Sequence, residues 1–220
     1  VIIPAFNEQD AIQHVISDLP KDLIREVIVV DNNSTDSTSE KANKAGATVL
    51  FEKNKGYGNA CLKGINYLNA KEYKPDLVVF IDGDYSDYPS QLSDLILPIA
   101  KNNVDMVIGS RSLGNIDSRA MPFQQRFGNW LSTSLIYLLF RFKYTDLGPF
   151  RAIKFNKLKE LNMQDTTYGW TVEMQLKAIK KKFVVVEVPV DYRQRIGVSK
   201  ISGTLKGTIL AGFKILSTIF

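Results

Sequence analysis

Histidine and cysteine are almost absent from this chain of 220 residues, which contains one of each. His14, the sole candidate for a catalytic or metal-binding histidine, falls in an amphipathic pattern typical of a helix surface. Cys61 has no second cysteine with which to form an internal disulfide or a thiolate zinc site. These absences argue against Ser-His-Asp hydrolysis, zinc chemistry and a disulfide-stabilised secreted domain.

Long apolar runs and the common phosphate-binding glycine motifs are also missing. No 18 consecutive residues are apolar, and no signal peptide is recognisable. Val1 and Phe220 both lie in apolar runs, so we expect the chain to be part of a longer one, with any transmembrane segment beyond Phe220. The absence of Gly-x-Gly-x-x-Gly and Walker sequences argues against the usual dinucleotide and P-loop sites.

The charge of the chain is unevenly distributed. Its formal net charge is +5, yet residues 1–110 contain 10 Lys or Arg and 16 Asp or Glu, a formal charge of −6. Residues 111–220 contain 18 Lys or Arg and 7 Asp or Glu, a formal charge of +11. This asymmetry indicates an anionic partner for the second half.

Short apolar runs alternate with amphipathic stretches in the first half. The runs are Val1–Ile3, Val27–Val30, Ala47–Phe51, Leu77–Ile81 and Met106–Ile108, and the amphipathic stretches cover about 8–19, 35–45, 58–70 and 89–101. Uninterrupted apolar runs are typical of strands covered on both faces. The alternation therefore predicts an α/β fold with a mainly parallel twisted sheet and helices on both faces, whose ligands bind beyond the carboxyl ends of the strands.

The second half has a different pattern. We expect a long polar loop at 110–128, an apolar stretch at 129–142, a helix at 170–182, a strand at Phe183–Val188, a basic loop at 191–200 and an amphipathic C-terminal helix at 202–220. Without a repeat or a linker, the chain is predicted to form one domain with a C-terminal extension.

The sequence Asp82-Gly83-Asp84 follows the predicted strand at Leu77–Ile81. Side chains two residues apart share a face of extended chain, so the two carboxylates can hold one Mg²⁺ or Mn²⁺ against a diphosphate. Gly83 would let that diphosphate approach the backbone closely. Asp and Gly are also common at ordinary strand-to-turn transitions, so the position at a strand end is what favours a metal site.

Two more acidic residues follow predicted strands. Asp31 is suited to accept hydrogen bonds from a base or ribose, and Glu8 to meet a nucleotide. The alternative for each is that it favours the first turn of the following helix. An acidic crevice of this kind would repel nucleic acid, and no nucleic-acid recognition motif is present.

These motifs occur in the order found in family-two glycosyltransferases of the GT-A fold. The chain resembles that family in Pro4–Glu8, Val30–Asp36, Asn54–Ala60, Asp82–Asp84 and Gly109–Arg111. It is similar to the dolichyl- or polyprenyl-phosphate sugar synthase branch in Trp170–Met174 and Arg193–Lys200. The resemblance covers about residues 1–200, and seven motifs in one order are more specific than any single motif.

The resemblance implies a nucleotide-sugar donor, a divalent metal (Mg²⁺ or Mn²⁺) and roles by motif position. The donor would be bound by Pro4, Phe6, Glu8, Asp31, Asn33, Asp82 and Gly83, the metal by Asp82 and Asp84, and the phosphates of donor or acceptor by Arg111, Arg126, Arg195 and Lys200. Glu173 would orient the donor sugar or act as a base for a hydroxyl acceptor. The alternative for Glu173 and for each basic residue is a solvated surface charge.

Three segments depart from the family pattern. Asp31-Asn32-Asn33-Ser34 stands where Asp-Asp-Gly-Ser is usual. Ser86, followed by Asp87, stands where the synthases often have glutamine, so metal ligands beyond Asp82 and Asp84 stay open. Leu147–Arg151 replaces a Ser- or Cys-Gly-Phe-Arg segment, which points to a subgroup with another sugar or acceptor.

Acceptor chemistry and membrane attachment follow from the basic, apolar second half. A lipid phosphate is already an anionic nucleophile, so the enzyme has to position it and offset charge repulsion rather than supply a strong base. The stretches 129–142 and 202–220 are too short or too charged to span a bilayer, and we expect them to lie in its interface, with Lys206 and Lys214 toward anionic headgroups. Ordinary core packing is the alternative.

We therefore expect a metal-dependent, inverting hexosyltransferase that uses a GDP-mannose- or UDP-glucose-type donor and a polyprenyl or dolichyl phosphate. It would act at the cytoplasmic face of a membrane, bound peripherally or by segments beyond this chain. Residues 1–200 would form the GT-A domain, with a donor-binding half at 1–110 and an acceptor-binding half at 111–200, followed by an interfacial helix at 201–220. The alternatives are a soluble or polysaccharide acceptor and a non-catalytic nucleotide-sugar-binding module.

Overall fold

Seven strands form one mixed sheet in the part of the chain that the computed structural model describes, residues 1–197, 213–214 and 216–219. The strands are β1 Ile2–Ala5, β2 Ile28–Asp31, β3 Thr48–Phe51, β4 Leu77–Phe80, β5 Met106–Ser110, β6 Arg151–Lys154 and β7 Val185–Pro189. Their order is β3-β2-β1-β4-β6-β5-β7. Strand β6 runs antiparallel to β4 and β5, whereas all other neighbours pair in parallel.

The helices connect these strands over both faces of the sheet. They are α1 Ile12–Ser17, α2 Thr38–Lys44, α3 Tyr57–Ala70, α4 Leu92–Lys101, α5 Phe123–Phe140, α6 Phe155–Leu161 and α7 Trp170–Lys180. Successive strand residues point to opposite faces. Ile3, Val29 and Val79 accordingly join α1, α2 and α4 in one core cluster, while Ile2, Val30 and Phe80 join α3, α6 and α7 in the other. The predicted mainly parallel sheet with helices on both faces is confirmed.

The five strands predicted in the first half are all present, within two residues of the expected bounds. Strand β6 and helix α6 were not predicted. In β6, Arg151–Lys154 has a basic residue at each end and only two apolar residues, so it lacks the continuous apolar run of the predicted strands. Arg151 is nevertheless fully buried, because its guanidinium donates to the carbonyls of Leu147, Gly148 and Thr171. Hydrogen bonding of the charged head is what makes this burial possible.

The C-terminal part of the chain is described only in part. Residues 213–214 and 216–219 are helical, and the remainder of the predicted helix at 202–220, as well as Lys200, lies outside the described residues. None of the helices found in the described part has the length and apolar character needed to cross a bilayer.

Candidate active site

A cavity of about 240 Å³ opens at the carboxyl ends of β1, β2 and β4. It is lined by seven of the residues that the sequence indicated: Pro4, Phe6, Glu8, Asp82, Gly83, Asp84 and Arg195. The start of α3 and the loop before α7 close its other sides with Lys55, Tyr57 and Tyr168. Lys55 and Tyr57 belong to the motif Asn54–Ala60, to which no role was given from the sequence, and Tyr168 lies outside every motif. The cavity therefore lies where a parallel α/β sheet binds its ligands.

Asp82 lines this cavity and follows strand β4. Its Oδ1 is buried and has no hydrogen-bond partner among the described residues, and the Tyr57 hydroxyl lies near it without reaching hydrogen-bond geometry. Burial, and then the charge of Asp84, raise the pKa of Asp82 to about 7. A buried, unsatisfied carboxylate oxygen is well suited to a hard cation, which would supply the missing partner.

Asp84 is already paired with a cation of the chain. Arg195 places one guanidinium nitrogen 3.1 Å from Asp84 Oδ2 and another 2.7 Å from Glu8 Oε1. The second oxygen of Asp84 accepts hydrogen bonds from the backbone and hydroxyl of Ser86, at 3.0 and 2.6 Å. Arg195 thus bridges two of the acidic residues predicted to bind the donor and the metal.

The loop that carries Arg195 is fixed to the segment after Asp84. The backbone nitrogens of Arg193 and Ile196 donate to the carbonyls of Ser86 and Asp84, at 2.9 and 3.0 Å. The Arg193 guanidinium lies 3.3 Å from the ring centroid of Tyr85 and donates to the Tyr85 carbonyl at 2.7 Å. These contacts explain how a residue 111 positions after Asp84 reaches the cavity.

Asp31 and its neighbours fix the second strand end rather than line the cavity. Asp31 accepts hydrogen bonds from the Ser34 backbone and from the Ser39 hydroxyl. Asn33, with φ +65°, donates to the carbonyl of Lys53. Asn32, where the family usually has aspartate, is the member of this motif that reaches the cavity, and its amide oxygen accepts from the Gly56 backbone at 2.7 Å.

Glu173 is buried on α7, outside the cavity lining. Its carboxylate accepts hydrogen bonds from the backbone nitrogens of Gln164 and Asp165, at 2.8 to 3.2 Å, and pairs with Lys177 at 2.7 Å. Its contacts therefore hold the loop that carries Tyr168.

Arg111 is held within the fold by Asp146. Its side chain donates two hydrogen bonds of 2.7 Å to the two oxygens of that buried carboxylate, and its backbone nitrogen donates a third. Burial opposes the charge of Arg111, but the adjacent Asp146 outweighs it and raises the pKa of the guanidinium. Arg111 also lies 5.0 Å from the ring centroid of Tyr192, so it connects the end of β5 to the loop of Arg195.

Asp87 is a buried acid that lies outside the cavity lining, three residues after Asp84. Neither of its carboxylate oxygens has a hydrogen-bond partner in the described part of the chain. Burial, followed by the charge of Asp82, raises the pKa of Asp87 well above its ordinary value. This shift disfavours a further negative charge beside Asp82 and Asp84.

Arg126 lies at a separate, larger cavity of about 730 Å³, formed by α5 and by residues after β5 and before β6. Arg126 and Lys143 are its cationic residues, and Trp130 and Tyr137 its exposed aromatic ones. Beside it, Phe123, Phe127 and Trp130 form a ladder of contacting rings along α5. The structure thus separates Arg126 from the cavity that contains Arg195.

Comparison with known proteins identifies the chain. Residues 1–162 match the family described as Glycosyl transferase family 2. The chain is 28% identical to the UDP-N-acetylglucosamine–dolichyl-phosphate N-acetylglucosaminyltransferase of Methanococcus voltae, covering 98% of this chain and 92% of that one. It is 29% identical to the dolichyl-phosphate hexose transferase of Haloferax volcanii, covering 91% and 85%.

Among solved structures, glucosyl-3-phosphoglycerate synthase of Mycobacterium tuberculosis, in complex with Mn²⁺, UDP and phosphoglyceric acid, has a TM-score of 0.77 and 20% identity. The match covers 99% of this chain and 75% of that one. The GT-A architecture expected from the sequence is thereby confirmed. The chain is a glycosyltransferase and belongs to glycosyl transferase family 2.

Proposed function

We propose that the protein transfers a hexose from a nucleotide-diphosphate sugar to a polyprenyl or dolichyl phosphate, with inversion at the anomeric carbon. The observation that carries this proposal is the cavity at the strand ends, where the acids Asp82 and Asp84 face the guanidinium of Arg195. Acidic groups to hold a metal, beside a cation suited to a phosphate, match the needs of a reaction between two phosphorylated substrates.

We propose Mg²⁺ or Mn²⁺ as the cofactor, held by Asp82 and Asp84. The unsatisfied Oδ1 of Asp82 fits such an ion, and both residues line the same cavity. A bound ion would offset the negative charge that develops on the departing nucleotide diphosphate. Pro4, Phe6 and Glu8 then stand on the nucleotide side, where the Phe6 ring already carries the Lys55 ammonium 4.5 Å from its centroid.

In the proposed reaction, an acceptor phosphate oxygen attacks the anomeric carbon as the bond to the nucleotide diphosphate breaks on the opposite side. The acceptor oxygen is already anionic, so no proton has to be removed from it. Arg195 lines the cavity and would bring the two phosphates together by reducing their repulsion. Lys200 is proposed to assist it, although its position lies outside the described residues.

The lipid nature of the acceptor is supported by the surface of α5. Phe123, Phe127 and Trp130 are about half to three-quarters exposed, and Leu138 and Leu139 are also exposed. Exposed apolar residues next to the cations of the α5 cavity suit a helix that lies in a membrane interface and admits a lipid phosphate. We propose that the protein acts at the cytoplasmic face, with residues 1–110 binding the donor, 111–200 the acceptor and 201–220 the interface.

The test is transfer of labelled sugar from UDP-glucose, UDP-N-acetylglucosamine or GDP-mannose to polyprenyl phosphate in the presence of Mn²⁺. We expect a radioactive lipid product with one of these donors and none after chelation of the metal. Labelled water-soluble product with a small phosphorylated acceptor, and none with the lipid, would favour the soluble-acceptor alternative. Donor binding without any product would favour a non-catalytic module.

A further inference from the structure

The cavity at the carboxyl ends of β1, β2 and β4 is called the donor cavity below. The loop of residues 162–169, between α6 and α7, forms one of its walls and is called the wall loop. Its residue Tyr168 faces the cavity beside Tyr57 and Asp82. None of the motifs singled out in the sequence includes Tyr168. The position of this loop therefore sets part of the shape that a donor meets.

The wall loop rests directly on the first turn of α3. The backbone nitrogens of Gly58 and Asn59 donate to the carbonyls of Thr167 and Thr166, at 3.3 and 3.0 Å. These bonds satisfy helix N–H groups that have no partner within the helix. A Cβ atom at Gly58 would lie 2.0 Å from the carbonyl oxygen of Asp165, so no larger residue permits this approach.

Asp165 joins the wall loop to the C-terminal part of the chain. Its Oδ1 accepts the Thr167 backbone N–H at 2.7 Å, and its Oδ2 lies 2.9 Å from Lys214 Nζ. The Asp165 side chain is only 6% exposed, whereas that of Lys214 is 43% exposed. A second contact lies at Gly169, where an added Cβ would come within 2.7 Å of Thr218 Oγ1.

The described C-terminal residues are therefore docked on the donor side of the molecule. Ile219, at their end, is buried in the same core cluster as Trp170, the first residue of α7. Through Lys214, Thr218 and Ile219, these C-terminal residues contact the wall loop and the start of α7. The loop is thus held both by α3 and by the C-terminal residues. Lys214, which was expected from the sequence to face anionic headgroups, instead pairs with Asp165 in the structure.

We propose that Asp165 is a positioning residue: it couples docking of the C-terminal segment to the affinity of the cavity for the nucleotide-sugar donor. The inference rests on the proposed function, because it takes the cavity to be the donor site. With the Lys214 pair intact, the wall loop holds Tyr168 in the cavity wall. When the pair is broken, the loop keeps its bonds to α3 and to Glu173 but loses one restraint, and the donor loses part of its contact surface.

The test uses two substitutions that break the same ion pair from either side. Asp165→Asn keeps an oxygen for the Thr167 N–H and removes only the charge, and Lys214→Met removes the ammonium but keeps the apolar stem. Calorimetry with UDP-glucose, UDP-N-acetylglucosamine and GDP-mannose, each with Mn²⁺, gives the affinities of the full chain. We expect about two- to fivefold weaker donor binding for each variant, the range typical of a partly exposed ion pair.

Three controls separate positioning from general destabilisation. The double variant should lose no more affinity than either single variant, since all three break one pair. Lys214→Arg should restore binding, because arginine also pairs with a carboxylate. Lys44→Met breaks the exposed pair with Glu40 on α2 and should leave the donor affinity unchanged.

Steady-state kinetics provides the readout that a purely structural role would not change. Asp165→Asn should raise the KM for the donor and leave kcat and the KM for the acceptor unaltered. Additive losses in the double variant, or unchanged donor affinity in both single variants, would overturn the inference while leaving the proposed function intact. A wild-type chain that binds none of these donors would overturn both.

Discussion

The two cavities of this molecule hold their charges in opposite ways. In the donor cavity, the buried carboxylates of Glu8 and Asp84 are both paired with the half-buried Arg195. In the α5 cavity, which is about three times larger, Arg126 and Lys143 are exposed beside Trp130. Under the proposed function, the first arrangement would suit small, highly charged ligands, and the second an anionic head attached to an apolar body.

Removal of a carboxylate from the donor cavity should have the largest effect. We expect Asp84→Asn to lower the transfer rate by about 100-fold or more, because it removes a proposed metal ligand together with the partner of Arg195. The measurement is labelled-sugar transfer at saturating Mn²⁺. Asp94→Asn, an exposed acid on α4, is the matched control and should retain full activity.

Thermal unfolding of the same variant shows whether the loss is specific. The Ser86 hydrogen bonds to Asp84 Oδ1 can be kept by the amide oxygen of asparagine, so we expect the midpoint to change by only a few degrees. Unaltered turnover in Asp84→Asn would show that Asp84 is not a metal ligand. The pairing of charges in the donor cavity would then have no role in catalysis.

The α5 surface should respond to changes that leave the donor cavity untouched. We expect the double substitution Phe127→Ser and Trp130→Ser to weaken binding to vesicles containing anionic lipid by about 30-fold, since two half-exposed aromatic side chains would no longer enter the interface, at a cost of about 2 kcal/mol. Vesicle sedimentation measures this partition, and UDP-glucose affinity should not change.

Tyr73 provides the matched control for the aromatic substitutions. It is 78% exposed but lies between α3 and β4, before the start of the strand rather than at its carboxyl end. Tyr73→Ser should leave vesicle binding as it is in the wild type. If Tyr73→Ser and the α5 variant lost vesicle binding equally, exposed aromatic residues would contribute to membrane binding wherever they lie on the surface.

The sequence was informative for the donor cavity because its key residues immediately follow buried strands. Continuous apolar runs predicted β1, β2 and β4, and the polar residues after them lie together at the sheet edge. Tyr168 carried no such signal, because it comes from a loop whose position depends on contacts with Gly58 and Glu173. Those contacts join distant parts of the chain, and periodicity does not report them.

Predictions for the basic half were less complete, because burial there depends on pairing rather than on apolar composition. The guanidinium of Arg111 donates to Asp146, and that of Arg151 to the carbonyl of Thr171. Both acceptors lie 20 or more residues away in the sequence. Helix α5 begins at Phe123, inside the stretch that was expected to be a loop. This start was missed because the polar residues Gln124, Gln125 and Arg126 occupy the first turn of the helix. Polar first turns conceal helix starts when only hydrophobicity is read.

The acidic character of the donor cavity also gives it a pH dependence that the α5 surface should lack. Burial and the charge of Asp84 raise the pKa of Asp82 to about 7, so a proton competes with the metal below that pH. We expect Mn²⁺ affinity to rise about tenfold between pH 6 and pH 8, a change that electron paramagnetic resonance of free Mn²⁺ can measure. Asp82→Asn should abolish the dependence.

The same shift has a defined sign for stability without metal. The folded chain holds the Asp82 proton more tightly than the unfolded chain, so this stabilising contribution is complete below pH 4 and is lost as the pH rises through about 7. Added Mn²⁺ should restore stability above pH 7, where the carboxylate is free to bind it. Metal affinity independent of pH would contradict the burial of Asp82.

Substitution of Arg195 should have the smallest effect, but it tests most directly the difference between the two cavities. Because its guanidinium already pairs with Asp84, a metal ion and Arg195 should compete for that carboxylate. We expect Arg195→Gln to tighten Mn²⁺ binding about threefold in the absence of nucleotide, and Arg195→Lys to resemble the wild type. Weaker metal binding in Arg195→Gln would mean that the arginine helps to assemble the metal site instead of occupying part of it. Tighter metal binding together with slower transfer in Arg195→Gln would show that the Arg195 guanidinium has two partners in turn. It would pair with Asp84 before the donor binds and with a phosphate afterwards.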